Sequence, residues 1–525
     1  MPDLDSESLY RALLAKDTRF DGRFFVGVAT TGVYCRPVCR ARKPLAVNCS
    51  FYATAAEAEQ AGFRPCLLCR PELAPGYAPV DSSASLARAA ARYIERNCGV
   101  QGSLTDIARH LGCSNRHLRR VFEDAYHVRP VEYRQTCRLL LAKSLLTDTD
   151  LSVVDVAYAA GFGSLRRFNE VFRRRYRLTP TALRSQARLN RADGDTVQLS
   201  LGYRPPYRWD LILKFLARRA IPGVEKVEDD RYARTIRLRS SGRDLTGWVA
   251  VGNDSEHNRL AVTVSASLLP ALPVVLDGIK NLFDLHCEPD TVAGALTSMD
   301  DSTLGPFIPG TRVPGCFDAF ETAVLAVLGQ QVTVQAARTL AGRLVQALGS
   351  PVDTGIDGLT TTFPTVQELL NLDGAIEQHL GPLGIIAARA RAIHGLAAMM
   401  SSGIIDASCC PDPEAAVTRF MEIPGIGTWT ANYIAMRCLA WPDAFLATDL
   451  EVRKALRTPP RGKILTLAEC WKPWRAYAVM HLWNRAEAES APEHATKSKK
   501  RNEKKEEMHY LSHYESPLGA MTMAS

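Results

Sequence analysis

The sequence predicts a multidomain α+β protein, and three observations support this prediction. The chain has 525 residues, which is too long for a single hydrophobic core, so three or four domains are expected. Two short-spaced cysteine pairs lie near the N-terminus, and a duplicated helical pattern follows over residues 104–185. Alternating apolar residues after 199 give way to a second helical region from about 318. We therefore expect a small metal-binding domain, an all-α domain, a mixed α/β subdomain and a helical subdomain.

The four N-terminal cysteines have the spacing of a metal site. Three residues separate Cys35 from Cys39, and two residues separate Cys66 from Cys69. Two such pairs can supply four thiolates to one tetrahedral Zn²⁺ ion. Cations beside a metal site favour a phosphate-bearing partner, and arginines flank both pairs: Arg36, Arg40, Arg42, Arg64 and Arg70.

Positive charge is concentrated in the first third of the chain. Residues 1–192 hold 30 Lys and Arg against 18 Asp and Glu, whereas acidic residues are in excess in the remainder. Within 164–191, nine arginines accompany a single acidic residue, Glu170. Such a region favours a polyanion, because neutralising phosphates releases condensed counterions. A solvated basic surface is the alternative.

Residues 103–126 and 152–176 repeat one helical plan, with turns at Gly112 and Gly161. Two helix-turn-helix units of this kind resemble an AraC-type DNA-binding domain, which we assign to residues 80–190. The resemblance implies that helices 114–124 and 164–175 enter successive segments of the major groove. The residues expected to contact bases or phosphates are Asn115, Arg116, Arg119, Ser164, Arg166 and Arg167. A helical bundle with basic faces is the alternative.

The cysteine-containing segment, which includes GVYCRPVCRARKP and FRPCLLCRPE, closely resembles the methyl-acceptor domain of the Ada-type adaptive-response proteins. We assign residues 1–78 to this domain. The resemblance implies that Cys35 irreversibly accepts a methyl group from a DNA methylphosphotriester, and that one Zn²⁺ is held by Cys35, Cys39, Cys66 and Cys69. Methylation would make the site less negative and strengthen promoter binding, which implies transcription activation with RNA polymerase as a partner. A purely structural zinc ion is the alternative.

The second helical region contains MEIPGIGTWTANYIAMRCLA at residues 421–440. Gly425 and Gly427 allow backbone N–H groups at the following helix start to approach a DNA phosphate, so the motif indicates a helix-hairpin-helix. Asp449 follows about twenty residues later, which is the layout of base-excision DNA glycosylases. Thr448 and Glu451 also fit a capping box, so the alternative for Asp449 is a first-turn residue that complements the helix dipole.

Segments between 199 and 487 together resemble 3-methyladenine DNA glycosylase II of the AlkA type: GYRPPYRWDLILKFLARRA, PGCFDAFETAVLAVLGQQVT, IPGIGTWTANYIAMR and WKPWRAYAVMHLW. The resemblance implies an α/β subdomain at 199–315 and a helix-hairpin-helix catalytic region at 316–490. It implies that Asp449 is the catalytic carboxylate and that Gln331 wedges into the duplex. It also implies an aromatic pocket formed by Phe215, Trp429, Tyr433 and Trp483. Ordinary core packing is the alternative for the aromatic residues.

The residue types suit excision of alkylated purines. Aromatic faces attract a positively charged base, which must be flipped from the stack to be reached. Trp429 occupies the slot where bifunctional relatives place a Schiff-base lysine, so a monofunctional glycosylase is expected. Only one cysteine, Cys470, follows Asp449, which excludes a four-cysteine iron–sulfur cluster there.

Residues 491–525 are expected to form a tail. The charge run at 497–507 predicts disorder, and the following MHYLSHYESPLGAMTMAS resembles the opening strand of alkylguanine-DNA alkyltransferases. The Pro-Cys-His-Arg acceptor motif of that family does not occur in the sequence, so repair of O6-alkylguanine is not expected.

The sequence therefore predicts DNA alkylation repair and its regulation, by a 3-methyladenine-class glycosylase and a suicidal methylphosphotriester methyltransferase. The expected partners are double-stranded alkylated DNA and promoter DNA. No apolar run reaches about 18 residues, so no membrane partner is expected, and we expect the protein in the bacterial cytosol, associated with the nucleoid. The alternative function is a zinc-containing transcription regulator with a non-catalytic DNA-binding C-terminal half.

Overall fold

The computed structural model describes most of the chain, namely residues 5–17, 20–74, 85–99, 103–186, 196–240, 242–299, 306–403, 410, 412–457, 461–486, 513–516 and 519–522. The fold is a multidomain assembly of helices and antiparallel sheets, as the sequence predicts. Most of the predicted tail at 491–525, including its charge run, lies outside the described residues. Two short strands within the tail, His513–Ser516 and Gly519–Thr522, pair antiparallel.

The N-terminal unit is a small four-stranded sheet with one helix before it and one inserted. Its elements are α1 (Ser6–Ala15), β1 (Phe25–Val28), β2 (Val33–Cys35), β3 (Cys49–Tyr52), α2 (Ala55–Gln60) and β4 (Arg64–Pro65). The strand order is β3-β1-β2-β4, with β2 and β4 parallel neighbours. Because parallel strands end at the same edge of a sheet, the residues that follow β2 and β4 meet. The Cys66 N–H donates to the Tyr34 carbonyl at 2.9 Å, which fixes this register beside Cys35.

Seven helices form the next unit: α3 (Ser85–Arg96), α4 (Leu104–His110), α5 (Asn115–Tyr126), α6 (Pro130–Asp148), α7 (Val153–Ala159), α8 (Leu165–Tyr176) and α9 (Pro180–Gln186). Helices α4–α5 and α7–α8 are the two predicted helix-turn-helix units, and α6 joins them. Leu118 and Phe122 are fully buried on α5, and Phe168 and Phe172 occupy the same places on α8. The repeated apolar spacing therefore produces two similar cores and leaves the basic faces exposed.

A twisted antiparallel sheet begins the second half of the chain. Its strands are β5 (Thr196–Gly202), β6 (Glu225–Glu228), β7 (Arg231–Ser240), β8 (Arg243–Asp254) and β9 (Arg259–Ser265), in the order β5-β9-β8-β7-β6. Helices α10 (Trp209–Arg219), α11 (Leu272–Leu282) and α12 (Pro289–Ala295) accompany the sheet. The alternating burial of β5 and β9 matches the alternation in their sequences, so one face of the sheet is packed against helices.

The remaining part is helical, apart from the short strand pair β10 (Ser350–Pro351) and β11 (Thr361–Thr362). Its helices are α13 (Ala319–Leu328), α14 (Val334–Leu348), α15 (Val366–Leu370), α16 (Ile376–Leu380), α17 (Ala387–Ser401), α18 (Pro413–Phe420), α19 (Thr428–Cys438), α20 (Leu450–Ala455), α21 (Arg461–Ala468) and α22 (475–486). The predicted helix-hairpin-helix corresponds to α18, the turn at 421–427, and α19. Across the part of the chain that the structure covers, no helix is long and apolar enough to cross a bilayer.

The N-terminal unit also contacts the sheet subdomain. The buried Arg204 side chain donates its Nε–H to the Asp21 carbonyl at 3.1 Å and reaches the Cys287 carbonyl at 3.4 Å through Nη1. Arg23 pairs with Glu288, with 3.0 Å between Nε and Oε1. The first and third units are therefore joined by polar contacts, and the contact of Arg204 with Asp21 is buried from solvent.

Candidate active site and metal centre

Asp449 lies at the start of α20, where it is the N-cap residue. Its Oδ1 accepts the backbone N–H groups of Glu451 and Val452, both at 3.0 Å. The capping box expected from Thr448 and Glu451 is therefore wrong, because the carboxylate at 449 itself caps the helix. This position sets a negative charge against the positive end of a helix and fixes its orientation.

Two pocket indoles also donate to this carboxylate. Trp483 Nε1 lies 2.9 Å from Asp449 Oδ1, and Trp429 Nε1 lies 3.0 Å from Oδ2. Trp429 comes from the first turn of α19, and Trp483 comes from α22. Four N–H donors from three helices thus hold the half-buried carboxylate in one orientation.

The four aromatic residues named from the sequence are neighbours around Asp449. The rings of Trp429 and Tyr433 stack at 5.1 Å between centroids, with 12° between their planes. Phe215 and Trp483 lie 6.2 Å apart at 17°, and Tyr433 and Trp483 lie 6.4 Å apart. Helices α10, α19 and α22 therefore bring the predicted pocket residues together beside the carboxylate.

Two arginines beside the pocket are additions to the residues named from the sequence. Arg437 is buried one turn after Tyr433, donates to the Tyr433 hydroxyl at 2.7 Å and lies 4.8 Å from the Phe215 centroid. Its Nε and Nη2 both donate to the Gly315 carbonyl. Arg219 lies over the same Phe215 ring at 3.8 Å. A charged residue in the otherwise apolar stretch of α19, four residues after Tyr433, is the signal that could have identified Arg437.

The helix-hairpin-helix and the loop with Gln331 are linked. Gly425 has φ of +92°, in the left-handed region that favours glycine, and Gly427 is the N-cap residue of α19. Gln330 donates to the Gly425 carbonyl at 2.9 Å and to the Thr430 hydroxyl at 3.0 Å. Gln331, next in the chain, is exposed with φ of +54° in the turn between α13 and α14. The wedge candidate is thus held beside the hairpin by the residue before it.

The four predicted metal ligands converge. The Sγ atoms of Cys35, Cys39, Cys66 and Cys69 all lie within 4.8 Å of one another. A tetrahedral Zn²⁺ with Zn–S bonds of about 2.3 Å places its sulfurs about 3.8 Å apart, which is within this limit. Cys35, Cys39 and Cys66 are buried and Cys69 is partly exposed, so burial does not distinguish Cys35 as the reacting thiol.

The close approach of the four thiols also favours a bound cation. Hydrogen bonds with Cys39 and Cys66, together with burial, raise the pKa of the Cys35 thiol above its ordinary value. Four thiolates at this separation repel one another, and a divalent cation is the charge that allows all four to ionise. The backbone N–H of Arg36 donates to Cys69 Sγ at 3.3 Å, a contact that also favours the thiolate.

Two of the five flanking arginines do not face outward as free cations. The Arg36 guanidinium binds the Asp21 carboxylate, with 2.8 Å between Nε and Oδ1. Arg70 binds Glu72 at 3.0 Å and Asp148 at 2.6 Å. Arg40 and Arg42 are exposed. The cationic surface expected beside the cysteines is thus smaller than the sequence indicates, because Asp21 and Asp148, which lie elsewhere in the sequence, pair with two of its members.

The predicted contacts of the double helix-turn-helix lie at the starts of α5 and α8. Arg116, Arg119 and Arg166 are exposed, and Arg167 is exposed but lies 3.2 Å from Glu170. Asn115 donates its amide to the Thr105 hydroxyl at 3.0 Å. The Ser164 hydroxyl caps α8 by accepting the Arg167 N–H, so its first role in the free protein is structural.

Four family profiles match this chain in succession. The metal binding domain of Ada matches residues 8–72, and a helix-turn-helix domain matches 107–186. The AlkA N-terminal domain matches 198–318, and the HhH-GPD superfamily of base excision DNA repair proteins matches 324–475. The domain limits expected from the sequence, 1–78, 80–190, 199–315 and 316–490, stay predictions.

A protein of Mycobacterium tuberculosis described as a probable bifunctional transcriptional activator/DNA repair enzyme AlkA is 38% identical to this chain. The similarity covers 92% of this chain and 97% of the relative. The chain belongs to this bifunctional Ada/AlkA family. The resemblance identified from the sequence is therefore confirmed.

Two further relatives correspond to the two halves of the bifunctional Ada/AlkA chain. The DNA-3-methyladenine glycosylase 2 of Escherichia coli is 38% identical over 54% of this chain and 96% of its own length. The bifunctional transcriptional activator/DNA repair enzyme Ada of E. coli is 36% identical over 30% of this chain and 43% of its own length. The Ada relative therefore extends beyond the matched region.

Proposed function

We propose that this protein excises alkylated purines of the 3-methyladenine class from double-stranded DNA and, separately, repairs and senses methylated DNA phosphates. The observation that supports the first activity most directly is the carboxylate of Asp449, held by two indoles within a cluster of aromatic rings. Membership of the Ada/AlkA family and the HhH-GPD match support the same reaction class.

Excision begins with a flipped base. Electron-rich faces of Trp429, Tyr433 and Trp483 attract a purine made cationic by alkylation, and the positive charge already weakens its glycosidic bond. As the bond breaks, the departing base takes the electron pair and positive charge develops on the sugar. Asp449 stabilises that charge and orients the water that adds to the sugar, and the proton that this water loses passes to the solvent. Trp429 occupies the slot of the Schiff-base lysine, so we propose hydrolysis without strand cleavage.

The hairpin and the exposed Gln331 are the proposed duplex contacts of this half. Backbone N–H groups at the start of α19, next to Gly425 and Gly427, face the position of a phosphate. Gln331 lies on the turn that Gln330 ties to the hairpin, so it can fill the space that a flipped base leaves. Its amide is polar, unlike an apolar wedge, and can hydrogen bond with the unpaired opposite base.

The second proposed activity belongs to the cysteine cluster. Zn²⁺ held by Cys35, Cys39, Cys66 and Cys69 would keep the thiols ionised at neutral pH. The Cys35 sulfur attacks the methyl carbon of a neutral methylphosphotriester; a C–S bond forms, the C–O bond breaks, and the phosphate oxygen keeps the electron pair. The Cys35 side chain becomes a thioether and is not converted back to a thiol, so each protein molecule accepts one methyl group only.

Methyl transfer supplies a switch for DNA binding. Four thiolates and one Zn²⁺ carry a net charge of −2, and methylation of one sulfur leaves −1. This change acts on DNA phosphates within a Debye length of about 10 Å. Stronger promoter binding by α5 and α8 would then activate transcription, with RNA polymerase as the proposed partner in the bacterial cytosol.

One experiment tests both activities on the full chain. Duplex DNA treated with a methylating agent is incubated with the zinc-loaded protein; the released bases are separated by chromatography, and the protein is weighed by mass spectrometry. We expect free 3-methyladenine, abasic strands that break only after alkali, and a single methyl group on the peptide with Cys35. Release of no base and no protein methylation would leave the alternative of a zinc-containing regulator with a non-catalytic DNA-binding half.

A further inference from the structure

A buried carboxylate lies between the cysteine domain and the double helix-turn-helix. Glu59 of α2 is 1% exposed, and its carboxylate accepts three hydroxyl groups. Oε1 accepts Tyr34 at 3.1 Å and Tyr176 at 3.3 Å, whereas Oε2 accepts Thr136 at 2.9 Å. The Glu59 carbonyl also accepts Nη1 of Arg175 at 2.7 Å. One residue is therefore bonded to three separate segments of the chain.

The three hydroxyl donors connect Glu59 to the cysteine cluster and to the double helix-turn-helix. Tyr34 immediately precedes the metal-ligand candidate Cys35, and its own carbonyl accepts the N–H of Cys66. Thr136 is on α6, which joins the two helix-turn-helix units, and Tyr176 is the last residue of α8. Helix α8 also packs against β4, the strand before Cys66. Glu59 thus connects the strand that carries Cys35 to a helix expected to contact DNA.

A second buried carboxylate strengthens the same interface. Glu72, which follows the cysteine pair, accepts Nζ of the fully buried Lys143 at 2.6 and 2.7 Å. Arg70, the residue after Cys69, bridges Glu72 and Asp148 at the end of α6. Charged groups paired in a dry interface tolerate little sliding, because displacement leaves a charge unpaired. Both cysteine pairs are therefore adjacent in sequence to residues bound to α6 or Glu59.

We propose that Glu59 is a positioning residue that transmits the state of the four-cysteine cluster to α8. A change at Cys35 displaces the end of β2, and Tyr34 carries the displacement to Glu59, which holds Tyr176 at the end of α8. This contact route acts beside the long-range charge effect and differs from it, because it depends on one side chain and not on ionic strength. The inference rests on the proposed function only for its natural trigger, methylation of Cys35, since metal loading perturbs the same cluster.

The substitution Tyr34→Phe tests this route with little change of volume. Phenylalanine keeps the ring but has no hydroxyl to donate to Glu59, so the first bond of the route is lost. Tyr176→Phe is the second variant, and it removes the hydroxyl bond between Glu59 and α8. Tyr232→Phe is the matched control, because it removes a hydroxyl bond to the Glu225 carboxylate in the sheet subdomain, away from this interface.

The measurement is amide hydrogen exchange of the full chain, with Zn²⁺ bound and after its removal by a chelator. In the wild-type protein and in Tyr232→Phe we expect metal removal to speed exchange in α8 by about fivefold or more, the lower range of allosteric coupling. In Tyr34→Phe and Tyr176→Phe we expect exchange in α8 to be the same with and without Zn²⁺. Helix α5 serves as the internal reference, because none of the hydrogen bonds of Glu59 described above reaches it.

Two outcomes would overturn the inference. If the amide exchange rate in α8 of the wild-type protein is the same with and without Zn²⁺, the cluster and the helix are not coupled. If α8 responds equally in wild type and in both variants, coupling exists but does not pass through Glu59. Failure of the proposed methyl transfer is recognised independently, as an unchanged protein mass after incubation with methylphosphotriester DNA, and it leaves the metal-dependent exchange result intact.

Discussion

Trp483 donates its indole N–H to Asp449 at 2.9 Å, so a wall of the aromatic pocket also orients the carboxylate. Trp429 donates its indole N–H to the other carboxylate oxygen of Asp449 at 3.0 Å. In the proposed mechanism, the residues that recognise the base therefore also orient the residue that stabilises the sugar. A substitution in the wall is expected to change the rate of bond breaking as well as the binding of the base.

Asp449→Asn should nearly abolish base release. The amide retains the shape of the side chain but carries no charge to stabilise the developing sugar cation, and loss of one such electrostatic group typically costs about 10²- to 10³-fold in rate. Single-turnover release of 3-methyladenine measures the effect. Glu451→Gln is the matched control, because this neighbouring acid is partly exposed and pairs with Lys454. Equal loss in both variants would contradict a specific role for Asp449.

Trp483→Phe should slow excision while keeping the protein folded. Phenylalanine preserves an aromatic ring opposite Phe215 but removes the donor to Asp449 Oδ1. A hydrogen bond to a charged group contributes about 1.5–3 kcal/mol, so a fall in the single-turnover rate of roughly 10- to 100-fold is expected if the bond is fully used in the transition state. Trp209→Phe loses an indole bond of 3.2 Å to the Asp230 carbonyl outside the pocket, and its rate should remain near wild type.

Cys39→Ser should remove the metal and loosen the N-terminal unit. A serine hydroxyl is a poor zinc ligand, and the three remaining thiols lose the cation that offsets their mutual repulsion. Elemental analysis of the purified full chain should find one zinc per wild-type molecule and far less in the variant. Cys49→Ser provides the comparison, because Cys49 lies outside the cluster and donates to the Leu45 carbonyl. A variant that retains a full complement of zinc would argue against the four-cysteine site.

Arg166→Ala should weaken promoter binding in a salt-dependent way. Arg166 is exposed near the start of α8, the position from which a recognition helix reaches the major groove. If it contacts a phosphate, the slope of log affinity against log salt should fall by about one. Binding of the methylated full chain to a duplex selected from a random pool is the measurement. Arg243→Ala, at the exposed start of β8, should leave both affinity and slope unchanged.

Asp284→Asn should change how stability depends on pH. Burial raises the pKa of Asp284 to about 6, although Arg312, the Val313 N–H and the Tyr477 hydroxyl oppose the shift. The folded state therefore keeps a proton that the unfolded state releases, and its stability falls as pH rises from about 4 to about 6. A shift of about two pKa units corresponds to about 3 kcal/mol. Denaturant unfolding of both proteins across this range should show the variant gaining stability relative to wild type as pH rises.

Local patterns in the sequence predict the helices well. The expected helices 114–124 and 164–175 correspond to α5 and α8, because apolar spacing and the N-cap residues Ser114 and Ser164 are local signals. The zinc-binding, helix-turn-helix and glycosylase parts of the predicted fold class are confirmed by the family matches. The residues around Asp449 came from the resemblance, since nothing in their spacing alone joins Phe215 to Trp483.

Contacts between distant residues could not be predicted. Glu59 bonds to Tyr176 across 117 positions, and no periodicity reports such a pair. The same limitation explains Arg36 and Arg70, which the sequence indicates as cations beside the cysteines but which pair with Asp21 and Asp148 in the folded protein. The cap of α20 was misplaced by one residue because Thr448 and Asp449 are both good capping residues, and only the backbone geometry decides between them.

Arg204 has a consequence for whether the two halves of the chain could work as separate proteins. Its guanidinium is enclosed between the Asp21 and Cys287 carbonyls, one on each half of the chain. Expressed as two independent polypeptides, the halves would open this enclosure to water and lose this contact. The proposed methyl acceptor and the proposed glycosylase pocket therefore reach DNA as one molecule, in a single diffusional search.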